Sequence, residues 1–70
     1  MRLTRHAKNR ARFIGVSQAE VEDLIRDPLQ IERDEDGKPL YSGFLKGVYV
    51  RVVVALDEPD LIVTIHEMRK

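Results

Sequence analysis

The sequence predicts an α+β fold, in which two N-terminal helices pack on one face of a four- to five-stranded antiparallel meander sheet. Helical periodicity and helix-capping signals are confined to the part of the chain before Pro28. After Pro28 the chain consists of runs rich in β-branched residues, separated by short turn clusters. No repeat, linker or low-complexity stretch divides the 70 residues, so residues 1–70 are predicted to form a single domain.

The first helix is predicted to run from Thr4 to Phe13. Thr4 is the expected N-cap, because its hydroxyl can accept a hydrogen bond from an amide of the first turn. Gly15 suits the left-handed residue that follows a helix. The buried side is predicted from three apolar residues at helical spacing, namely Ala7, Ala11 and Ile14.

The second helix is predicted from its N-terminal signals. Ser17 and Glu20 have the spacing of a capping box, and Val16 and Val21 occupy the positions of a hydrophobic staple. Pro28 disfavours helical geometry at the residue before it, so the helix is expected to stop there. The link between the two helices is short, which predicts a compact helical hairpin.

Three turns set the predicted strand pairing, with residues 1–3 as a short extra strand. A four-residue loop at Asp57–Asp60 and a two-residue loop at Lys46–Gly47 define two hairpins. A three-residue loop with a left-handed Gly37 defines the third, and its register sends Leu29 and Ile31 to the apolar, helix-covered face. The apolar-face pairs are expected to be Leu56 with Leu61, Val54 with Val63, Val52 with Ile65, Tyr41 with Val52, and Leu45 with Val48. The opposite face is expected to pair Ala55 with Ile62, Val53 with Thr64, Arg51 with His66, and Tyr49 with Met68, with Ser42 and Phe44 beside Arg51 and Tyr49.

The second sheet face holds the first candidate site. Arg51 and His66 are predicted cross-strand neighbours, with Ser42 and Tyr49 adjacent. Imidazole can move protons near neutral pH, and a guanidinium can hold a phosphate through two parallel hydrogen bonds. His66 and Arg51 are therefore candidate catalytic residues. The alternative is a solvated polar pair with an acid such as Glu32 or Glu67 nearby.

The first helix holds the second candidate site. His6 and Arg10 lie four residues apart and project on the same side, with His6 as a further candidate proton carrier. The alternative is that His6 only packs against the sheet and that the cations are solvated. Aromatic residues that alternate with cations are also typical of base-stacking surfaces. The candidate nucleic-acid-binding residues are Arg5, Lys8, Arg10, Arg12, Lys46 and Tyr49.

The charge of the chain is zero overall but unevenly distributed. Residues 1–19 contain five basic residues and no acid, whereas residues 20–36 contain eight acids and two arginines. The basic end can attract phosphate, or it can attract an acidic segment of the same chain or of another copy. At this size about 60% of the unfolded surface is buried, and no cysteine can form a disulfide, so a homo-oligomer is expected.

Several classes of function are not supported by the sequence. The two histidines lie on separate predicted elements and there is no cysteine, so no metal site is expected. No glycine-rich phosphate loop or other cofactor motif is present, and no cofactor is expected. No apolar run is long enough to span a bilayer and no signal-peptide core is visible, so a cytoplasmic protein without membrane association is expected.

The order of these motifs resembles a family of small bacterial proteins of unknown function. The opening Leu3–Ala7 (LTRHA), then Arg10, Ile14–Ser17 (IGVS) and an Asp-Pro dipeptide after the second helix, resembles that family's "lT-x-HA-x-x-R" pattern. Its valine-rich strand and its "vvTv" strand resemble Val50–Val54 and Ile62–Ile65. The family usually has an arginine directly before its "gI" dipeptide. Here Phe13 holds that place and Arg12 comes one residue earlier.

This family is in turn similar to the RelE/ParE and BrnT toxin-like proteins. The resemblance implies a RelE-like sheet with two helices, and it implies a toxin that binds or cleaves RNA without a metal and is held by a cognate antitoxin. On that reading Arg10 and Arg51 hold phosphate, and His66 or His6 transfers a proton. The alternative is a non-catalytic protein-interaction module, or a homodimer, that uses the polar sheet face or the basic helix.

Overall fold

The computed structural model describes residues 1–68, which form a layer of two helices on a layer of five strands. The sheet order is β1-β5-β4-β3-β2, and every neighbouring pair is antiparallel except β1 and β5. The α+β class is therefore confirmed, with a sheet that is mixed because its short N-terminal strand is parallel to β5. The elements in chain order are β1 (Arg2–Leu3), α1 (Arg5–Ile14), α2 (Gln18–Arg26), β2 (Gln30–Arg33), β3 (Pro39–Leu45), β4 (Val48–Val54) and β5 (Leu61–Glu67).

Both helices begin and end at the signals that the sequence contains. The Thr4 hydroxyl accepts a hydrogen bond from the Ala7 amide at 3.0 Å, and Gly15 follows α1 with φ of 87°. The Ser17–Glu20 capping box of α2 is formed in both directions. Within residues 1–68, neither helix has the length and apolar character that crossing a bilayer requires.

The core lies between the helix layer and the centre of the sheet. α1 packs on β5 and α2 packs on β3, so the two helices meet over β4, whose alternate valines point into the gap. Burying one such side chain contributes about 1.5–3 kcal/mol relative to leaving it exposed. The completely buried core residues are Ala7, Val21, Val50, Val52, Ile62 and Ile65.

The predicted register is confirmed for the central hairpin and for most of the last one. Tyr41 lies opposite Val52, and Val52 lies opposite Ile65. The prediction is wrong beyond Val53, where Val54 pairs with Ile62 in place of Val63. β5 therefore has one extra residue there, a β-bulge at Val63.

The bulge changes the face on which Ile62 lies. Ile62 was predicted on the face opposite the helices, paired with Ala55. In the structure it belongs to the same buried cluster as Ile65, three residues further along β5. A regular strand would send residues three apart to opposite faces. The bulge thus lets both isoleucines enter the core. The predicted pair Leu56–Leu61 is also lost, and Leu56 is 57% exposed.

The edge strand β2 is not covered by the helices. Its predicted register with β3 is confirmed, since Ile31 lies opposite Tyr41 and Gly37 is left-handed. Leu29 and Ile31 were predicted to lie under the helices, yet they are 69% and 60% exposed. Two helices of about 10 Å diameter cover about four strands spaced by about 4.8 Å. The fifth strand, at the far edge from α1, is left bare.

Thr4 ties α1 to the bulge in β5. Its amide donates to the carbonyl of Ile62 at 3.0 Å, and its hydroxyl donates to the carbonyl of Val63 at 2.7 Å. The same hydroxyl oxygen accepts the Ala7 amide and so caps the helix. One side chain therefore fixes both the start of α1 and its position on the sheet.

Replacing Thr4 with valine is expected to destabilise the domain by about 2 kcal/mol, because a helix cap and a hydrogen bond to the bulge are lost together. Urea unfolding followed by circular dichroism measures this change. Thr4→Ser keeps the hydroxyl and should lose less than half as much. Equal losses for valine and serine would show that the methyl group matters and the hydroxyl does not.

Candidate functional site

Three side chains form a row across the sheet on the face away from the helices. Ser42 on β3 lies opposite Arg51 on β4, and Arg51 lies opposite His66 on β5. This is the neighbourhood that strand alternation predicts for the second face. Arg51 lies on the central strand of the sheet, and His66 lies on β5, the strand whose other face packs against α1.

Within the described residues, Arg51 forms an ion pair with one acid, and one nitrogen of its guanidinium group has no hydrogen-bond partner. Its Nη2 lies 3.2 Å from Oε1 of Glu32 on β2, which confirms Glu32 as its acidic neighbour. Its Nε is buried and has no hydrogen-bond partner within residues 1–68. Burying a charged donor without an acceptor is costly. The side chain is 30% exposed, so the accessible part of its guanidinium can bind an external oxygen.

Two hydroxyls beside Arg51 share this property. Ser42 is only 1% exposed, and neither its Oγ nor the Oγ1 of Thr64 has a hydrogen-bond partner within the described chain. Thr64 lies diagonally across from Arg51, because its own partner on β4 is Val53. Buried polar atoms are nearly always satisfied in folded proteins. Three buried polar atoms without partners on neighbouring positions of one face are therefore an unusual concentration, and they lie around the partly exposed side chain of Arg51.

Helix α1 brings a second arginine to the same edge of the sheet. Nε of Arg10 donates to the carbonyl of Ile65 at 3.2 Å, which places this guanidinium next to His66. The guanidinium also lies 5.3 Å from the centre of the Phe13 ring, a distance typical of a cation–π contact. No ion pair within residues 1–68 joins Arg10 to an acid. Arg10 is therefore positioned by the backbone and by an aromatic ring.

The pKa of His66 is affected by burial and by three neighbouring basic side chains. Its pKa is lowered from the ordinary value of 6.5, chiefly because partial removal from solvent disfavours the charged form. The positive charges of Arg10, His6 and Arg51 lower the pKa further. His6 and Arg10 of α1 therefore lie within electrostatic range of His66, and we call the four side chains His6, Arg10, Arg51 and His66 the basic cluster.

An aromatic pair flanks the basic cluster on the sheet. Phe44 and Tyr49 lie opposite each other on β3 and β4, with ring centres 5.1 Å apart and planes inclined by 60°. Tyr49 shares its face of β4 with Arg51, two residues further along. An exposed aromatic surface next to clustered cations is an arrangement that can stack a base while a phosphate is held.

The remaining predicted nucleic-acid-binding residues lie outside the basic cluster. Nζ of Lys46 donates to the carbonyl of Gly15 at 2.8 Å and lies 3.7 Å from the carboxylate of Glu20, so it joins the sheet to the turn between the helices. This contact makes Lys46 a structural residue at the opposite end of α1 from His6. The three others are exposed on the outward side of α1, namely Arg5, Lys8 and Arg12.

Strand alternation predicted Arg51, His66 and Tyr49 on one face, but two partners of the site were missed. Thr4 was expected only as a helix cap, and its bond to Val63 joins elements far apart in the chain. Thr64 was placed opposite Val53 without a role, since a lone threonine in a strand has no distinctive signal. Within residues 1–68, no three His, Cys, Asp or Glu side chains are grouped closely enough to hold a metal ion.

The family is shown by a match that covers nearly the whole fold. A domain of unknown function, DUF4258, matches residues 3–67, from β1 to the end of β5. The chain belongs to the DUF4258 family. This confirms the resemblance of the LTRHA opening to a family of unknown function, and it does not extend to the RelE/ParE or BrnT proteins. No curated protein and no solved structure matches the chain. The DUF4258 match includes every member of the basic cluster.

In this DUF4258 domain His66 is expected to titrate below 6.5, and Arg10→Gln is expected to raise its pKa by removing a nearby positive charge. NMR titration of the imidazole signals measures the shift. Because the folded pKa lies below the unfolded one, the unfolded state binds more protons. Stability linked to His66 should therefore be full above pH 6.5 and fall as the pH drops toward the lowered value.

Arg12→Gln provides the matched control, because Arg12 carries the same charge on the outward side of α1. It should leave the His66 titration nearly unchanged. An equal effect of the two substitutions would show that the influence on His66 is a general effect of net charge and not of the Arg10 position.

Ser42→Ala is expected to leave stability unchanged or to raise it by up to about 1 kcal/mol, because the buried hydroxyl has no partner to lose. Thermal unfolding measures the change. A loss of more than about 1 kcal/mol, a cost typical of a broken hydrogen bond, would contradict an unsatisfied Ser42.

Proposed function

We propose that this DUF4258 domain is a toxin-like, metal-independent ribonuclease that binds single-stranded RNA at the basic cluster. The observation that carries the proposal is the convergence of Arg10 and Arg51 on His66, whose pKa is lowered. An imidazole that is largely neutral near pH 7 can accept a proton, and two guanidiniums can stabilise the charge that develops on a phosphate.

The proposed reaction is transesterification within the RNA chain. The 2′-hydroxyl of one nucleotide attacks the adjacent phosphorus while His66 takes its proton. The bond from phosphorus to the 5′-oxygen of the next nucleotide then breaks, and that oxygen receives a proton from the second imidazole, His6. The products are a 2′,3′-cyclic phosphate and a free 5′-hydroxyl, so the reaction needs neither water nor an oxidant.

The Arg51 side chain and the aromatic pair supply binding in this proposal. Arg51 is 30% exposed, so a phosphate oxygen can accept from the accessible part of its guanidinium. The Phe44–Tyr49 pair offers a ring face for a neighbouring base. Exposed bases of single-stranded RNA fit such a surface better than a duplex, whose bases are stacked inside.

The toxin-like part of the proposal is supported by a likeness of architecture, since in the RelE/ParE and BrnT toxin-like proteins two helices also pack on an antiparallel sheet, and by the analogous placement of Arg51 and His66 on the sheet face. Such a toxin has a cognate antitoxin, and a small reading frame beside the gene is expected to encode it. The non-catalytic alternative uses the same surface for binding alone. The overall charge of zero favours that alternative, because it weakens the general attraction to RNA.

The test is cleavage of a labelled single-stranded RNA by the purified domain in the presence of a metal chelator. His66→Ala is expected to reduce the rate by a factor of about 10²–10⁴, and Arg51→Ala or Arg10→Ala by about 10²–10³. The cleaved RNA should end in a cyclic phosphate. A substrate with a single 2′-deoxy position should resist cleavage there, because the nucleophile is missing.

Arg12→Ala is the matched control and should retain most of the activity, because it removes a cation of α1 that lies outside the basic cluster. RNA that is bound but never cut would support the binding module. Cleavage that survives His66→Ala would reject the proposed mechanism. Expression in a bacterial host adds a second readout, since growth arrest should depend on Arg51 and His66.

A further inference from the structure

The edge strand β2 carries unpaired backbone groups. It pairs with β3 on one side only, and all four of its residues are exposed. The amide of Asp34 donates to the carbonyl of Lys38, so the backbone of Asp34 faces β3. In an antiparallel pair, the backbone groups of successive residues point alternately toward and away from the partner strand. The amides and carbonyls of Ile31 and Arg33 therefore point away from β3. A strand edge of this kind can pair with another extended chain.

Apolar side chains accompany this edge. Leu29 and Ile31 lie on the helix side of the sheet, and both are more than half exposed because α2 packs on β3 and does not reach β2. An extended segment placed beside β2 would cover Ile31 with alternate side chains of its own. The same segment would bury the apolar surface of β2 that the two helices leave exposed.

A cleft lies beside these residues, between the end of α2 and β3. It has a volume of about 340 Å³. Its floor includes Gly43, where a Cβ would stand 3.3 Å from the side chain of Leu24. Leu29 forms part of its wall. The absence of a side chain at Gly43 thus lets Leu24 pack directly on β3 at the base of this cleft.

Two carboxylates stand at this cleft. Asp23 and Asp27 line it, and residues 20–36 contain eight acids and two arginines. Within residues 1–68, Asp23 is paired only with Arg26, in an exposed ion pair at 3.0 Å, and Asp27 takes part in no ion pair. Such exposed pairs are weak and leave the carboxylate available to another cation.

We propose that β2 and this cleft bind an extended, basic and apolar segment of a partner polypeptide as a sixth strand. We call this region, formed by Asp23, Asp27, Leu29, Ile31 and the outward edge of β2, the β2 edge surface. It lies on the side of the sheet farthest from β5 and His66, and its one link to the basic cluster within residues 1–68 is the ion pair between Glu32 of β2 and Arg51.

The charge of the surface argues for a foreign partner over a second copy of the same strand. β2 itself is charge-balanced, with Glu32 and Arg33, so the β2 strand of a second copy would bring no excess of cations to Asp23 and Asp27. A segment whose lysines or arginines alternate with apolar residues would instead place cations near Asp23 and Asp27. Its apolar residues would cover Leu29 and Ile31.

In the experiment, the full chain is titrated with a short capped peptide in which lysine and valine alternate. NMR of the backbone amides of the protein monitors binding. The Ile31 and Arg33 amides are expected to shift and to exchange with solvent about tenfold more slowly, because they become hydrogen-bonded. A peptide with glutamate in place of lysine should produce no such change. Equal binding of both peptides, or no change at β2, would overturn the proposal.

Variants separate the apolar and charged contributions. Leu29→Lys is expected to weaken binding of the lysine peptide by about tenfold or more, since it removes an apolar contact and adds a like charge. Asp23→Asn combined with Asp27→Asn should weaken it about fivefold, the effect of two surface ion pairs.

Leu56→Lys is the matched control, because Leu56 is a similarly exposed leucine that lies outside β2 and the cleft. It should leave peptide binding unchanged. Unfolding curves for each variant establish that the fold is intact. Sedimentation of the free protein completes the test, and a dimer that Leu29→Lys abolishes would replace the foreign partner with a second copy.

Discussion

The hydroxyl of Thr4 is the contact on which the arrangement of the two layers depends. It caps α1 and bonds to the bulged residue of β5, so the start of the helix and the irregularity of the strand are fixed by one oxygen. Arg10 makes a second bond to the same strand, six residues further along the chain. These two bonds set the angle and height of α1 on the sheet. The position of His6 relative to His66 follows from them.

The polar groups of the second face are best understood together with this docking. Arg51 and Ser42 are placed by the sheet alone, whereas Arg10 arrives from the helix. The charges that lower the pKa of His66 therefore come from both layers. Neither the helix nor the sheet contains the basic cluster by itself. A sheet face that leaves buried donors unsatisfied is less stable than it could be, which is common where binding matters more than stability.

The sequence predicted the features that depend on local chemistry. Caps at Thr4 and Ser17 and the left-handed Gly37 depend on a few neighbouring residues, and the central register follows from the two-residue turn at Lys46. The bulge at Val63 could not be predicted, because valine is as common in regular strands as in irregular ones. The exposure of Ile31 could not be predicted either, since it depends on how many strands two helices can cover. The proximity of Arg10 to His66 depends on which strand α1 packs against. No local sequence pattern indicates that strand.

The pairing of α1 with β5 also has a consequence for the order in which the molecule can form. These elements are separated by α2 and three strands, so a growing polypeptide has made most of the fold before the partner of its first helix exists. Until then the apolar side of α1 has no sheet to cover and Thr4 has no carbonyl to bind. Interrupted synthesis before β5 would yield fragments with an exposed apolar helix face, the kind of surface that chaperones and proteases recognise. Any activity of the basic cluster is thereby confined to chains that have completed β5.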